Sequence, residues 1–228
     1  MSDPERKVYA AQVREIEDLA PTTRRLAFER PAGFQYLPGQ FLSFLLPLGG
    51  ETVRAYTIAT PPEREGPLEI VLDLVPEGPG SHYLFSLREG ATVRFTGPWG
   101  AFTLTEALAA DTVFVALGTG IAAIRPMLHR AWATTRGELL RLHHFIPDLA
   151  HQLYRDELAH AVRTQRNFEY EVLLAVDPVA YIAARYVTED ADRSRHFFIC
   201  GVGESVYRIR DVLRQAGYAR RAVHYEKW

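Results

Sequence analysis

The spacing of apolar and polar positions changes character once along the chain. From Val8 to about Phe102, short β-rich segments are separated by turn residues. They are the run after Thr22, Phe41 to Leu46, Val53 to Ile58, Leu68 to Val75 and Ala91 to Phe95, with Pro38-Gly39, Gly49-Gly50 and Pro61-Pro62 between them. Several short strands at this spacing predict a barrel. Gly80 to Arg88 departs from the rule, because Tyr83, Leu84 and Leu87 recur at helical spacing and predict a short helix.

After Phe102 strands and helices alternate. Thr112 to Leu117 is a continuous apolar run, followed by a glycine turn and a helical pattern from Ile121 to about Ala133. Leu139 to Phe145, Glu171 to Val176 and His196 to Cys200 read as further strands, with helices over Tyr154 to Val162 and Ser205 to Ala216. This alternation predicts an α/β unit on a parallel sheet. The boundary falls near Thr103 to Asp111, dividing the chain into residues 1–104 and 105–228, with no internal repeat or long linker.

Composition narrows the chemistry. The formal charge is -2, from 26 basic and 28 acidic residues, so no overall field draws nucleic acid or an anionic membrane. Cys200 is the one cysteine, which excludes an internal disulfide and a four-cysteine iron-sulfur cluster supplied by these residues. Met1 to Val8 is charged rather than apolar, and the longest apolar stretch, Val113 to Ile124, is too short to span a bilayer and is broken by Gly118 and Gly120. A soluble cytoplasmic protein is the expectation.

Gly118-Thr119-Gly120-Ile121-Ala122-Ala123 follows a strand, opens a helix and matches G-x-G-x-x-A. Such a turn lets backbone N–H groups approach a pyrophosphate at a helix N-terminus, although an ordinary tight turn fits the same residues. An acidic residue is expected about twenty positions on, at the end of the second strand. Asp148 is the nearest and fits imperfectly. Cys200-Gly201-Val202-Gly203 lies at the same edge of the sheet, where a lone cysteine is more often a small packed residue. Arg54-Ala55-Tyr56-Thr57 sets Arg54 and Tyr56 on one strand face and Thr57 on the other, offering a cation, an aromatic face and a hydroxyl.

His143, His144 and His151 match no standard zinc spacing and read as packed or surface residues, so no metal site is expected. Arg220, Arg221 and Lys227 read as a solvated face, or as a docking patch for an acidic electron carrier.

The order of these motifs resembles the ferredoxin-NADP reductase family of flavoproteins. Pro38-Gly39-Gln40-Phe41 is similar to the family's P-G-Q-F turn and Arg54 to Thr57 to its flavin-binding R-x-Y-[ST]. Gly80-Ser81 resembles the segment that binds the flavin phosphates, and Gly97-Pro98-Trp99-Gly100-Ala101-Phe102 the G-P-x-G-x-F that ends the barrel. Gly118-Thr119-Gly120 resembles the nicotinamide-site G-[TG]-G, and Cys200-Gly201 the C-G-P before the last helix.

The resemblance implies a two-domain fold, an antiparallel flavin-binding β-barrel followed by a nucleotide-binding α/β domain. It implies FAD as cofactor, NADH or NADPH as electron donor, and a ferredoxin, flavodoxin or oxygenase component as protein acceptor. Free-flavin reduction and a non-catalytic flavin-binding subunit are the alternatives. By the same implication Arg54 pairs with FAD phosphate, Tyr56 packs on the flavin ring, Thr57 bonds near its N5, and Ala55 and Leu72 line the site. Gly80 and Ser81 meet the pyrophosphate. Gly118, Thr119, Gly120, Cys200 and Gly201 line the nicotinamide pocket. Trp228 covers the flavin face as a placeholder, with Glu226 beside it, so Thr57, Cys200, Glu226 and Trp228 form the expected catalytic set. The chain departs from the family at His144-Phe145-Ile146, Ala175-Val176-Asp177, Arg185 and Val202, and these departures cluster around the adenosine half of the nucleotide site. Ile146, Val176 and Asp177 stand where readers of a 2'-phosphate are common, which predicts a preference for NADH.

Overall fold

The computed structural model describes residues 7–49 and 51–228. The charged start at residues 1–6 and Gly50, second residue of the expected Gly49-Gly50 turn, lie outside the described residues. The first half of the chain forms β1 (Val8–Ala20), β2 (Thr23–Phe28), β3 (Phe41–Pro47), β4 (Glu51–Thr57), β5 (Leu68–Asp73) and β6 (Thr92–Trp99), with α1 (Pro79–Ser86) before the last. They make an antiparallel sheet in the order β4-β3-β6-β1-β2-β5, wrapped around Phe28, Phe44 and Phe95.

Strand β1 is not among the segments picked out by apolar runs, because Glu15, Glu17 and Asp18 dilute its pattern. It spans 13 residues by changing partners, pairing β6 from Val8 to Gln12 and β2 from Val13 onward. Its carboxylates are neutralised across the ladder, where Arg25 pairs with Glu15, Glu17 and Glu69.

The second half forms β7 (Thr112–Leu117), α2 (Ile121–Thr134), β8 (Leu140–Ile146), α3 (Arg155–Thr164), β9 (Phe168–Leu174), α4 (Pro178–Ala183), β10 (His196–Gly201), α5 (Ser205–Gln215) and β11 (Val223–Lys227). All five strands are parallel, in the order β11-β10-β7-β8-β9. Two elements here escaped the periodicity. Helix α4 has six residues, too few for a helical repeat to register, and Asp177 starts it by accepting from the N–H groups of Val179 and Ala180. Strand β11 occupies what reads as a fraying terminus, and its five residues pair β10 in register.

The two sheets share a core. Ala59 and Val71 from the first half pack with Phe102, Leu104 and Leu108 of the connection, and with Phe114, Ile121 and Met127 of the second half. The P-G-Q-F turn belongs to this seam. Gly39 has φ +96°, and a Cβ there would stand 2.1 Å from the Phe102 carbonyl oxygen and 2.3 Å from Met127 Cε.

A buried ion network crosses the same seam. Arg125 on α2 bonds Glu157 of α3 at 2.8 Å, the Ala59 carbonyl at 3.0 Å and Glu69 of β5 at 3.3 Å. Burial alone would raise the Glu157 carboxyl, but hydrogen bonds from His129 and Arg125 outweigh it and hold the group at about 2. Each buried charge here has a partner, the condition under which burial is tolerated.

Candidate functional site

In an open parallel sheet the order of strand addition reverses between the first strand and the one inserted on its other side, leaving a crevice at the carboxyl ends. Here those strands are β7 and β10, paired from Thr112↔His196 to Leu117↔Gly201. Beyond them lie Gly118-Thr119-Gly120 and Gly201-Val202-Gly203, so both glycine segments meet at one switch point. Two of these glycines permit close approach. A Cβ on Gly120 would lie 2.1 Å from the Cys200 carbonyl oxygen, and one on Gly201 would lie 2.5 Å from Leu117 Cβ. Gly118 differs, with φ +56° and open space where a side chain would be. Of the two glycines in the G-x-G, Gly120 is fixed by packing and Gly118 leaves backbone accessible.

His144 holds this turn from beneath. Its buried imidazole donates from Nε2 to the Gly118 carbonyl at 3.0 Å, and the Tyr170 hydroxyl lies 3.5 Å from Nδ1. Burial pushes His144 down to about 4, so the ring is neutral at pH 7 and serves as a fixed donor. Its packed position agrees with the sequence reading, but its contact with the glycine turn left no mark in the pattern.

The opposite wall comes from the antiparallel sheet. A cleft of about 330 Å³ is lined by Arg54, Ala55, Tyr56 and Thr57 of β4, by Leu72 and Asp73 of β5, by Gly80 and Ser81 of α1, and by Thr119 and Trp228 from the other half. Nine of the residues singled out from sequence therefore share one cavity, of a size usual for small-molecule sites. Arg54 is exposed and bonds only the Val53 carbonyl, at 2.8 Å, and among the described residues no carboxylate pairs with it. Gly80 makes room for it, since a Cβ there would stand 2.8 Å from Arg54 Cγ. Tyr56 packs edge-on against Phe44, and burial raises its phenol. Ser81 is committed locally: its hydroxyl donates to the Gly78 carbonyl at 2.9 Å and accepts from Val75 N–H at 3.0 Å. What this corner offers a ligand is the N–H groups in the first turn of α1.

Among the described residues, two buried oxygens around the cleft have no hydrogen-bond partner, Thr57 Oγ1 and Glu226 Oε2. Buried polar atoms are rarely left so, and both belong to the residues expected to carry chemistry. Burial pushes the Glu226 carboxyl up to about 7.

Gly118, Gly120, Cys200, Gly201 and Glu226 stand behind the cleft rather than on its surface. Cys200 is fully buried, its thiol raised by burial, and its Sγ accepts from Trp228 Nε1 at 3.3 Å. Trp228 is anchored further by its N–H, which donates to the Gly201 carbonyl at 3.1 Å, and by an edge-on contact with Phe41. The chain's last residue thus extends the β10–β11 pairing and places an indole over Cys200 at the cleft wall.

The adenosine side is built differently. Asp148 accepts from Ala150 N–H and His151, and Asp177 caps α4, so each carboxylate near the expected ribose position braces its own loop. Arg141 is paired with Glu169 at 2.7 Å. His143 is buried and shares a hydrogen bond of 2.6 Å with the Tyr186 hydroxyl. Among the described residues no three His, Cys, Asp or Glu side chains gather to hold a metal, and no helix is long and apolar enough to cross a membrane.

Asp73 is the residue that sequence reasoning missed. It ends an apolar strand, lines the cleft and bonds Thr119 across it. A lone acid closing a buried strand was the available signal.

Comparison with known proteins agrees with this geometry. Residues 10–104 match the oxidoreductase FAD-binding domain family. Ferredoxin–NADP reductase B of Sorangium cellulosum is 34% identical over 240 aligned positions, taking in 96% of this chain and 97% of the relative. The reductase component DmpP of phenol 2-monooxygenase from a Pseudomonas species is 32% identical over 123 positions, which cover 53% of this chain and 34% of that protein. Among solved structures, a ferredoxin NADP+ reductase from Neisseria gonorrhoeae with bound FAD and NADP superposes with a TM-score of 0.85 at 19% identity, covering 98% of this chain and 99% of that one. With its antiparallel flavin-type sheet, its parallel nucleotide-type sheet and a relative matched end to end, the chain belongs to the ferredoxin–NADP reductase family of FAD-dependent NAD(P)H oxidoreductases.

Proposed function

We propose that this chain is an FAD-dependent reductase that takes hydride from NADH or NADPH and delivers electrons to a protein acceptor, a ferredoxin, a flavodoxin or an oxygenase component. Residues 1–104 hold the flavin and residues 105–228 the nucleotide, in a cytoplasmic protein. The observation that carries this reading is that the R-A-Y-T strand and Thr119 of the G-T-G turn, far apart in sequence, line one cleft.

The residues present fit FAD. Among the described residues Arg54 is a cation without an anion, Gly80 keeps the space beside it open, and the Thr57 hydroxyl has no polar partner. In this assignment Arg54 and the first-turn N–H groups of α1 hold the phosphates, Tyr56 supplies an aromatic face, Ala55 and Leu72 exclude water, and Thr57 bonds the ring edge. When bound, FAD supplies the acceptor for hydride and the outlet for electrons. Thr119, with the turn that Gly118, Gly120 and Gly201 shape, orients the nicotinamide. Trp228 would cover the ring face, Cys200 seats the indole, and Glu226 is a carboxyl that burial brings to about 7, able to hold or release a proton near neutral pH. NADH is the preferred donor, since Ile146, Val176 and the helix-capping Asp177 offer a 2'-phosphate no cation.

Chromatography of acid-released flavin tests the assignment. FAD near one equivalent per chain is the expected result. FMN, or protein that retains no flavin at all, contradicts it.

A further inference from the structure

Thr119 lies at the tip of the glycine turn, and its Oγ1 donates to Asp73 Oδ2 at 2.8 Å. The other oxygen of Asp73 accepts from Thr23 Oγ1 at 2.5 Å, across the β2–β5 pair in which Thr23 and Asp73 are direct partners. A carboxylate on the antiparallel sheet therefore holds the hydroxyl that opens the nucleotide half, and Asp73 and Thr119 both line the cleft.

The polarity of this contact carries information. Both carboxylate oxygens of Asp73 accept, so the single hydroxyl proton of Thr119 is committed to Asp73. What Thr119 presents to the cleft is lone pairs. Thr57 makes the contrast, because its hydroxyl has no partner and remains free to turn either way.

We propose that Asp73 is a positioning residue that locks Thr119 as a hydrogen-bond acceptor, and that the pair selects nicotinamide nucleotides through the NH2 of the ring carboxamide. This rests on the reading that nicotinamide enters the cleft at Thr119. A carboxamide offers an N–H to those lone pairs. A 3-acetylpyridine ring of nearly the same shape offers a methyl group, leaving Thr119 buried against it without a donor. Sites built to bond a polar group reject the analogue that lacks it.

The test compares NADH with reduced 3-acetylpyridine adenine dinucleotide as donors to the flavin-loaded protein. The oxidised forms of both are titrated by calorimetry for a binding readout independent of turnover. Wild type should favour the carboxamide by about tenfold or more in kcat/KM and in affinity, the scale of one such hydrogen bond. Asp73→Asn places an NH2 that can donate to Thr119 and turn its proton into the cleft, so the preference should collapse toward unity. Thr119→Val should collapse it as well, and Thr119→Ser should retain it, which keeps the test sound if the Asn variant folds poorly. A merely structural Asp73 would lower thermal stability in these variants and leave the ratio between donors unchanged; that result overturns the proposal alone. If NADH fails to reduce the wild-type flavin, the reading of the cleft is overturned and the proposal with it.

Discussion

The two sides of the cleft use their polar residues in opposite ways. Among the described residues Arg54, on the flavin side, has no counter-ion and Thr57 keeps a buried oxygen without a partner, as does Glu226 of β11 behind the cleft. On the adenosine side the carboxylates are already spent, Asp148 on its own turn and Asp177 on the start of α4, while Arg141 is tied to Glu169. Unmet polar groups persist where something else completes them, because leaving them unmet costs free energy. The contrast separates a half whose polar groups are left open from one whose side-chain charges are already paired.

The largest effect that sharpens this comparison is expected at Arg54. Replacing it by Ala removes a charge-assisted bond that contributes about 1.5 to 3 kcal/mol, so FAD should dissociate roughly ten- to a hundredfold more readily while nucleotide contacts stay intact. Equilibrium dialysis of flavin measures this directly. Full retention would place Arg54 outside the site.

Glu226 gives a smaller, pH-dependent effect. A carboxyl whose folded pKa is raised to about 7 contributes stability that is complete below the unfolded value and is lost as pH rises through the folded one. Glu226→Gln should therefore unfold like wild type at pH 4, and be more stable at pH 8 by on the order of 2 kcal/mol. Thermal unfolding at the two pH values decides it. Equal stability at pH 8 would mean that the carboxyl finds a partner.

The smallest effect tests the adenosine side. Asp177→Ala removes a helix cap and should cost about 1 kcal/mol of stability, with little change in KM for NADH. A large rise in KM with unchanged unfolding would reverse the contrast, making Asp177 a ribose ligand first and a cap second.

Much of this site was legible in the sequence because its motifs are backbone motifs. Gly80, Gly118 and Gly201 stand where a side chain would collide with a neighbour or where φ is positive, and the requirement for glycine marks each position in the sequence even when the neighbour is distant. The change from short strands to alternating strands and helices was likewise visible from Phe102 onward. What stayed hidden is long-range. The Asp73–Thr119 bond joins residues 46 positions apart, and the His144–Gly118 bond joins residues 26 apart. Strand β1 was obscured by exposed acids that matter only once Arg25 lies across from them. The terminal strand was obscured because its order comes from β10 rather than from its own pattern.

If one cleft brings a nicotinamide nucleotide to a bound flavin, rapid anaerobic mixing of the flavin-loaded protein with NADH will reveal it. The flavin absorbance band should bleach in a single turnover, and at a lower concentration of NADH than of NADPH. A band left unchanged by both nucleotides would contradict it.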